Sequence, residues 1–477
     1  MQNTSLVRRL CPERGGTLHK MASFRIHRSS LVTLPTTNLA PIPLSGFDSM
    51  FVSSEVPLNF VYLFPSPTIP FPELAESLKH SLAQALQSFH PFAGELTYLS
   101  SSRTIAIVFP EKGACVTFIE AETVIGLKGL LDAEELDTEA LRQLVPDIRR
   151  EVLPAPVMAV QVTQTVGGVV VGLALDHTVA DGHGLFHFLN TWTAAATGRS
   201  GSSNPNPLPL HDRNLVRFDG DEEFNRAVLR HFTPNLPRVN TLIKNSNTLD
   251  VREPKLHPTA KEQQCPVVRQ TFVFTATALQ HLKRRHLAST NPDEQLVPST
   301  FVAIAAHGWV SFSRASSGSS ADDRPVFIVF LVDCRPALMS LPADQVYAGN
   351  CVIFFKVGLK GSELTGPEGL ARALSTLTEA VKEAKADPLK YKAEYIVEEN
   401  QGDRIFLVSG IPRFGYELDL GFGRPARIER ARLGYHSEAF LVAGREPGSV
   451  HAMVAMSAEN MPAFHQAFMV DGVHGRP

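Results

Sequence analysis

The stretch Val169–Leu189, VVVGLALDHTVADGHGLFHFL, constrains this chain more than any other. It opens on Val169-Val170-Val171-Gly172-Leu173-Ala174-Leu175, an apolar run that is short, β-branched at its start and flanked by Gly. That is the pattern of a buried strand. The strand delivers Asp176-His177 to a turn, Asp181-Gly182 follows, and a helical pattern begins at Leu185. A His at the end of a buried strand is held rigidly yet faces a cleft. An imidazole there can take a proton near neutral pH, which is what a general base does.

The H-x-x-x-D spacing is weak evidence by itself. Among 17 His, ~0.7 such matches arise by chance, although His177 alone has Asp four residues on. His183 and His187, one helical turn apart, could share a metal ion or merely sit on one face. No upstream Glu or Cys completes a ligand set, so no metal site is assigned.

A chain of 477 residues exceeds one ordinary core, so two domains are expected. Hydrophobic residues make up 44% and charged residues 19%, which describes a globular protein with ample core material. The net charge of -3 gives no general attraction to nucleic acid or membrane, so an anionic ligand must meet a local basic patch. Cys11, Cys115, Cys265, Cys334 and Cys351 form no C-x-x-C pair, which fits a reducing, cytoplasmic setting. The sequence has no apolar run long enough for a membrane span. Residues 1–20 read as a disordered extension or a transit peptide.

Taken in order, residues 23–34, 60–64, 104–109, 157–163 and 169–175 read as strands, with helices over 71–88 and about 137–144 and 185–196. The Gly-, Ser-, Asn- and Pro-rich TGRSGSSNPNPLPLHDRN then reads as linker with no regular element. This divides the chain into a first domain over 21–205, a crossover over 206–266 and a second domain over 267–477. The second half shows strands at 267–275 and 326–332, and a turn into another at 349–355. A helix carrying Lys283-Arg284-Arg285 follows the first of these strands, and further helices fall at 299–313, 368–385, 388–399 and 462–470.

Four motifs occur in one order: FHPFAGEL, HTVADG, VDCRPALMSLP with YAGNC, and IPRFGYELDLGFGRP. Together they resemble the plant BAHD acyl-CoA-dependent acyltransferases over nearly the whole chain from Met21, most closely the branch that acylates anthocyanins and phenolic glucosides. The resemblance implies an α/β fold of two similar mixed-sheet domains, of the chloramphenicol/carnitine acetyltransferase type, with the active-site channel between them. Part of 419–445 is then expected on the first domain.

It also implies the roles. His177 is the general base that deprotonates an acceptor hydroxyl as it attacks the thioester of acyl-CoA, with no bound cofactor, metal or covalent intermediate. Asp181, followed by Gly182, is structural and pairs with Arg335, unless it is simply a turn residue. Asp419, Gly421 and Gly423 belong to a structural loop. That loop departs from the family's D-F-G-W-G-K/R-P, because Phe422 lacks the indole N–H of Trp. Phe422 and Arg424, with the basic run Lys283-Arg284-Arg285, are candidates to bind CoA, although the run also suits a solvated helix face.

The implied function is transfer of a malonyl group to a phenolic or flavonoid glycoside by a monomer, with small molecules as the only partners. A hydroxycinnamoyl donor and a catalytically weak CoA-binding relative are the alternatives. His183 follows Gly182 where malonyl-transferring relatives often carry a basic residue, and Arg413 or Arg424 could take that part.

Overall fold

The computed structural model describes residues 24–34, 39–52, 57–148, 150–199, 206–239, 267–287, 297–316, 323–390, 404–411, 415–433, 437–469 and 473–474. The apolar run is strand Gly168–Leu175, inside a six-stranded sheet. Across that sheet the order is Phe24–Thr33, Cys115–Gly126, Met158–Val166, Gly168–Leu175, Leu58–Pro65 and Arg427–Arg430.

The run is apolar at every position because both its faces are covered. Val169, Val171, Leu173 and Leu175 join the core formed with helices Phe71–Ser88 and Gly182–Ala196. Val170 and Ala174 face the other way, onto Leu127, Leu130, Leu141 and Leu144. Helix Phe71–Ser88 buries Leu74, Leu78, Leu82, Ala85 and Leu86 at three- and four-residue spacing. It is tied to the second helix where Trp192 Nε1 donates to Ser81 Oγ at 3.0 Å.

A seven-stranded sheet organises the other half, in the order Val352–Lys360, Pro325–Asp333, Arg404–Ile411, Ser437–Ala443, Val450–Ser457, Val267–Phe274 and Val473–His474. Helices Thr300–Ser316, Gly369–Ala386 and Met461–Phe468 cover it. The result is an α/β fold with two mixed sheets, each with its own core.

The halves exchange segments. Arg427–Arg430 pairs antiparallel with Leu58–Pro65 and so extends the first sheet. Phe47, Met50 and Phe51, near the start of the chain, enter the second core. Leu208–Leu210 pairs parallel with Gln345–Tyr347.

Three local expectations change. The helix after the histidine turn starts at Gly182 rather than Leu185, because the Asp181 side chain accepts from Gly184 N at 3.1 Å and caps it. The alternating stretch Cys115–Gly126, which the sequence reading left out, is a strand. The crossover also carries regular structure, namely strand Leu208–Leu210 and helix Asp221–Phe232. A Pro-flanked strand needs a partner supplied from residue 345 onward, which local composition does not reveal. The helix is favoured by Asp221, Glu222 and Glu223 in its first turn. Pro388–Lys390 form a turn, while the rest of the helix read at 388–399, the extension 1–20 and residues 240–266 lie outside the described residues.

Candidate active site

His177 begins the turn that ends strand Gly168–Leu175. The strand's hydrogen bonding continues one residue further, as Asp176 N donates to Val157 O at 2.7 Å. The Asp176 carboxylate turns into the wall. It accepts from Thr178 N and Thr178 Oγ1, at 2.9 and 2.7 Å, and from Arg150 Nη1 at 2.9 Å. His177 is half-buried, with its ring stacked on Phe51 at 3.7 Å between centroids and 12° between planes. Its carbonyl accepts from Asn350 Nδ2 at 2.8 Å.

Burial pushes the His177 imidazole down to about 4. A hydrogen bond to its own backbone, then Asp181 and Asp176, oppose that shift, and Arg430 adds to it. The ring is therefore neutral at pH 7, the form in which a general base acts.

Asp181 turns away from the imidazole. Its Oδ2 lies 2.9 Å from Arg335 Nη1 and accepts from Cys351 N at 3.0 Å, and its Oδ1 accepts from Arg335 Nη2 at 3.0 Å. Burial works to raise this carboxyl's pKa, but the Arg335 guanidinium overrides it and holds the group below its ordinary 3.8. Arg335 is saturated, since it also donates to Tyr347 O, Gly349 O and Asp333 Oδ1. Gly184 completes the fit, because a Cβ there would stand 2.2 Å from Ala348 O. The turn of one half is thus locked by side chains and backbone of the other.

The sequence reading missed a second set of buried groups. Asp48 is fully buried and accepts from Arg213 Nε at 3.1 Å and Asn350 Nδ2 at 2.9 Å. Arg213 Nη2 in turn donates to Val179 O at 2.6 Å, inside the histidine turn. A signal for Asp48 was present, because Ser45-Gly46-Phe47-Asp48 is a capping box that starts the short helix Gly46–Ser49. Asn350 lies inside YAGNC. Nothing in the local sequence singles out Arg150 or Arg213.

The 419–423 motif meets the helix that follows the histidine turn at its other end. Asp419 Oδ1 accepts from Gly421 N at 2.9 Å and Gly423 N at 3.1 Å, and both glycines sit at positive φ, 90° and 103°. This loop abuts the far end of helix Gly182–Ala196, where Asp419 N donates to Thr193 Oγ1 at 3.2 Å. Eleven residues of helix separate Gly182 from Thr193, roughly 16 Å of rise.

Phe422 packs edge-on against Phe64 at 4.8 Å, and Arg424 is exposed. Lys283 Nζ donates to Thr300 Oγ1 at 3.0 Å and Arg284 is exposed, whereas the Arg285 side chain and Arg413 lie outside the described residues. Burial lowers the pKa of His183, and that of His187 to about 4. Among the described residues, no group of three or more His, Cys, Asp or Glu is arranged to hold a metal. A cleft of about 1600 Å³ adjoins the turn through Ser45 and Arg213, and His90, Tyr98, Arg103 and His211 also line it.

Comparison with known proteins gives a consistent picture. Residues 26–471 match the family described as Transferase family. Phenolic glucoside malonyltransferase 2 of Arabidopsis thaliana is 26% identical, over 96% of this chain and 100% of its own length. Hydroxycinnamoyl-CoA:piscidic acid hydroxycinnamoyltransferase of Actaea racemosa is 25% identical, over 92% of this chain and 97% of its own. Among solved structures, vinorine synthase superposes with a TM-score of 0.67 at 20% identity, covering 92% of this chain and 96% of that one. TRI101 of F. sporotrichioides, complexed with coenzyme A and T-2, gives 0.64 at 17% identity, covering 90% and 97%.

Proposed function

The chain belongs to the transferase family of BAHD acyl-CoA-dependent acyltransferases, and on that premise we propose that it moves a malonyl group from CoA to a hydroxyl of a phenolic or flavonoid glycoside. His177 serves as the general base. The observation that carries this reading is a neutral, half-buried imidazole whose two flanking carboxylates are both bound to arginines. With Asp176 and Asp181 so occupied, the ring is the group left to take a proton. As the acceptor oxygen attacks the thioester carbonyl, His177 removes the hydroxyl proton. The C–S bond then breaks, and the imidazolium returns that proton to the thiolate to give CoA-SH.

Malonyl as donor rests on the end-to-end match with the phenolic glucoside malonyltransferase. A hydroxycinnamoyl donor is the second reading, and one observation favours it. His183, just after Asp181-Gly182, has its pKa lowered by burial and by Arg335, so it offers no positive charge to a malonyl carboxylate near pH 7. Coumaroyl- and hydroxycinnamoyl-transferring relatives match at 25–26% identity as well.

The test is thiol release on malonyl-, acetyl-, p-coumaroyl- and caffeoyl-CoA with pooled flavonoid glycosides. Acceptor-dependent release that falls at least ~10²-fold in His177→Ala supports the base and names the donor. Undiminished turnover in that variant overturns the role of His177. CoA binding without turnover on any donor overturns the enzyme reading in favour of a binding protein.

A further inference from the structure

A malonyl donor carries a carboxylate close to the carbon under attack, and out of water that charge needs a cation. His183 does not supply it. Neither do the arginines beside the turn, because Arg150, Arg213 and Arg335 each hold a buried aspartate, Asp176, Asp48 and Asp181 in turn.

Arg430 comes from another direction. Strand Arg427–Arg430 places it opposite Phe60, and Phe60 is opposite Leu173 of the strand that leads to the histidine turn. Directly opposed residues share a face of a sheet, and so do alternate residues along a strand. Arg430 thus stands on the face of Leu173 and Leu175, toward the end of the sheet from which His177 emerges. Its guanidinium lies over the rings of Phe440 and Phe60, 4.8 and 5.7 Å from their centroids, and 3.7 Å from Glu438 Oε1. It is near enough to weigh on the imidazole, whose pKa it helps to lower.

The buried charges around Arg430 do not balance. Arg427 Nε donates to Glu429 Oε1 at 2.7 Å, and Arg269 Nη1 donates to the carbonyls of Arg430 and Ala431, at 3.1 and 2.6 Å. Three arginines, Arg269, Arg427 and Arg430, therefore share two carboxylates, Glu429 and Glu438, and all five residues are buried. Burial, and then the nearby Arg430, push the Arg269 guanidinium down to about 10. An excess of positive charge in the interior is costly until an anion joins it.

We infer that Arg430 is a donor-specificity residue, whose guanidinium receives the malonyl carboxylate and so distinguishes that donor from uncharged acyl groups. The inference rests on the malonyl reading of the donor. A bound carboxylate brings the buried group to equal numbers of each sign. It also offsets the charge that Arg430 presents to His177, so the imidazole gains basicity when the charged donor is in place.

The experiment measures Kd for malonyl-CoA and acetyl-CoA by calorimetry without acceptor, and kcat/KM for malonyl-CoA. It compares wild type, Arg430→Met, Arg430→Lys and the double variant Arg430→Met/Glu438→Gln. Met keeps an apolar stem against Phe440, and the double variant also removes the carboxylate that the single change would strand. Wild type is expected to bind malonyl-CoA at least ~10-fold more tightly than acetyl-CoA. Both Met variants should lose that preference through weaker malonyl-CoA binding alone, with kcat/KM for malonyl-CoA down ~30-fold or more. Arg430→Lys, which keeps the charge, should retain more of both than Arg430→Met.

Equal affinity of wild type for the two esters would overturn the inference. So would an unchanged preference in the folded double variant, or equal losses on both esters, which is what a merely structural residue gives. If neither Met variant folds, the wild-type affinities decide. A wild type that turns over p-coumaroyl- or acetyl-CoA but not malonyl-CoA would instead overturn the malonyl reading, and the inference with it.

Discussion

Helix Gly182–Ala196 has an aspartate at each end, and the two do different things. At its start, Asp181 is 2% exposed, caps the helix and forms a two-pronged ion pair with Arg335 from the other half. At its far end, Asp419 is half-buried and accepts the N–H groups of Gly421 and Gly423 in its own loop. Both belong to motifs that single out an aspartate. One crosses between halves and fixes the turn that carries His177; the other shapes a glycine loop. A charge buried with one irreplaceable partner has far more to lose than a charge with solvent at hand.

The largest expected effect breaks the first end. Arg335→Ala strands the Asp181 carboxylate in the interior and should cost ~3–5 kcal/mol, read as a lowered urea midpoint. A loss below ~1 kcal/mol would mean that Asp181 protonates or is hydrated without difficulty.

Acid should also act on this end first. Burial lowers His177 and His187 from 6.5 to about 4, so the unfolded chain binds more protons than the folded one between those values. Their contribution is complete above pH 6.5 and is lost as pH falls toward 4. Asp181, held below its ordinary value, keeps its contribution to lower pH still. Hydrogen exchange at pH 4.5 should therefore open the histidine turn before the 419–424 loop. Simultaneous opening would contradict the comparison.

Asp419→Ala removes the acceptor of two loop N–H groups at a partly solvated site, and ~1 kcal/mol is expected in the same urea titration. Arg424→Ala should be the mildest. Arg424 is exposed, so stability should stay within ~0.5 kcal/mol and KM for acyl-CoA within ~2-fold. A tenfold rise in KM would restore it as a CoA contact.

Much of the fold was legible because periodicity is local. The spacing of Leu74, Leu78 and Leu82 marks helix Phe71–Ser88. An unbroken apolar run correctly announced a strand covered on both sides. The recruited strand Leu208–Leu210 was not legible, because its stability comes from pairing with Gln345–Tyr347. The start of helix Gly182–Ala196 was misjudged for a related reason: Gly182 and Gly184 look like turn residues until Asp181 caps them and Ala348 O demands the missing Cβ. Within the site, His177 and Asp181 stood out by motif, whereas Phe51 and Arg150 did not. A Phe in a segment that enters the second core carries no sign that its ring will cover an imidazole.

Sequence alone determined the strand–turn–helix that presents His177, the two-sheet α/β class and the family. All of these rest on patterns within a few turns of chain or on motifs in order. Tertiary structure decided which charges meet. Arg335 lies 154 residues from Asp181, Asn350 173 residues from His177, and Arg150 99 residues from Phe51. Each of these groups is exposed or buried, free or committed, only once the two halves have closed on each other. The protonation of His177 follows from that burial and those partners, so it too belongs to the folded chain rather than to the motif.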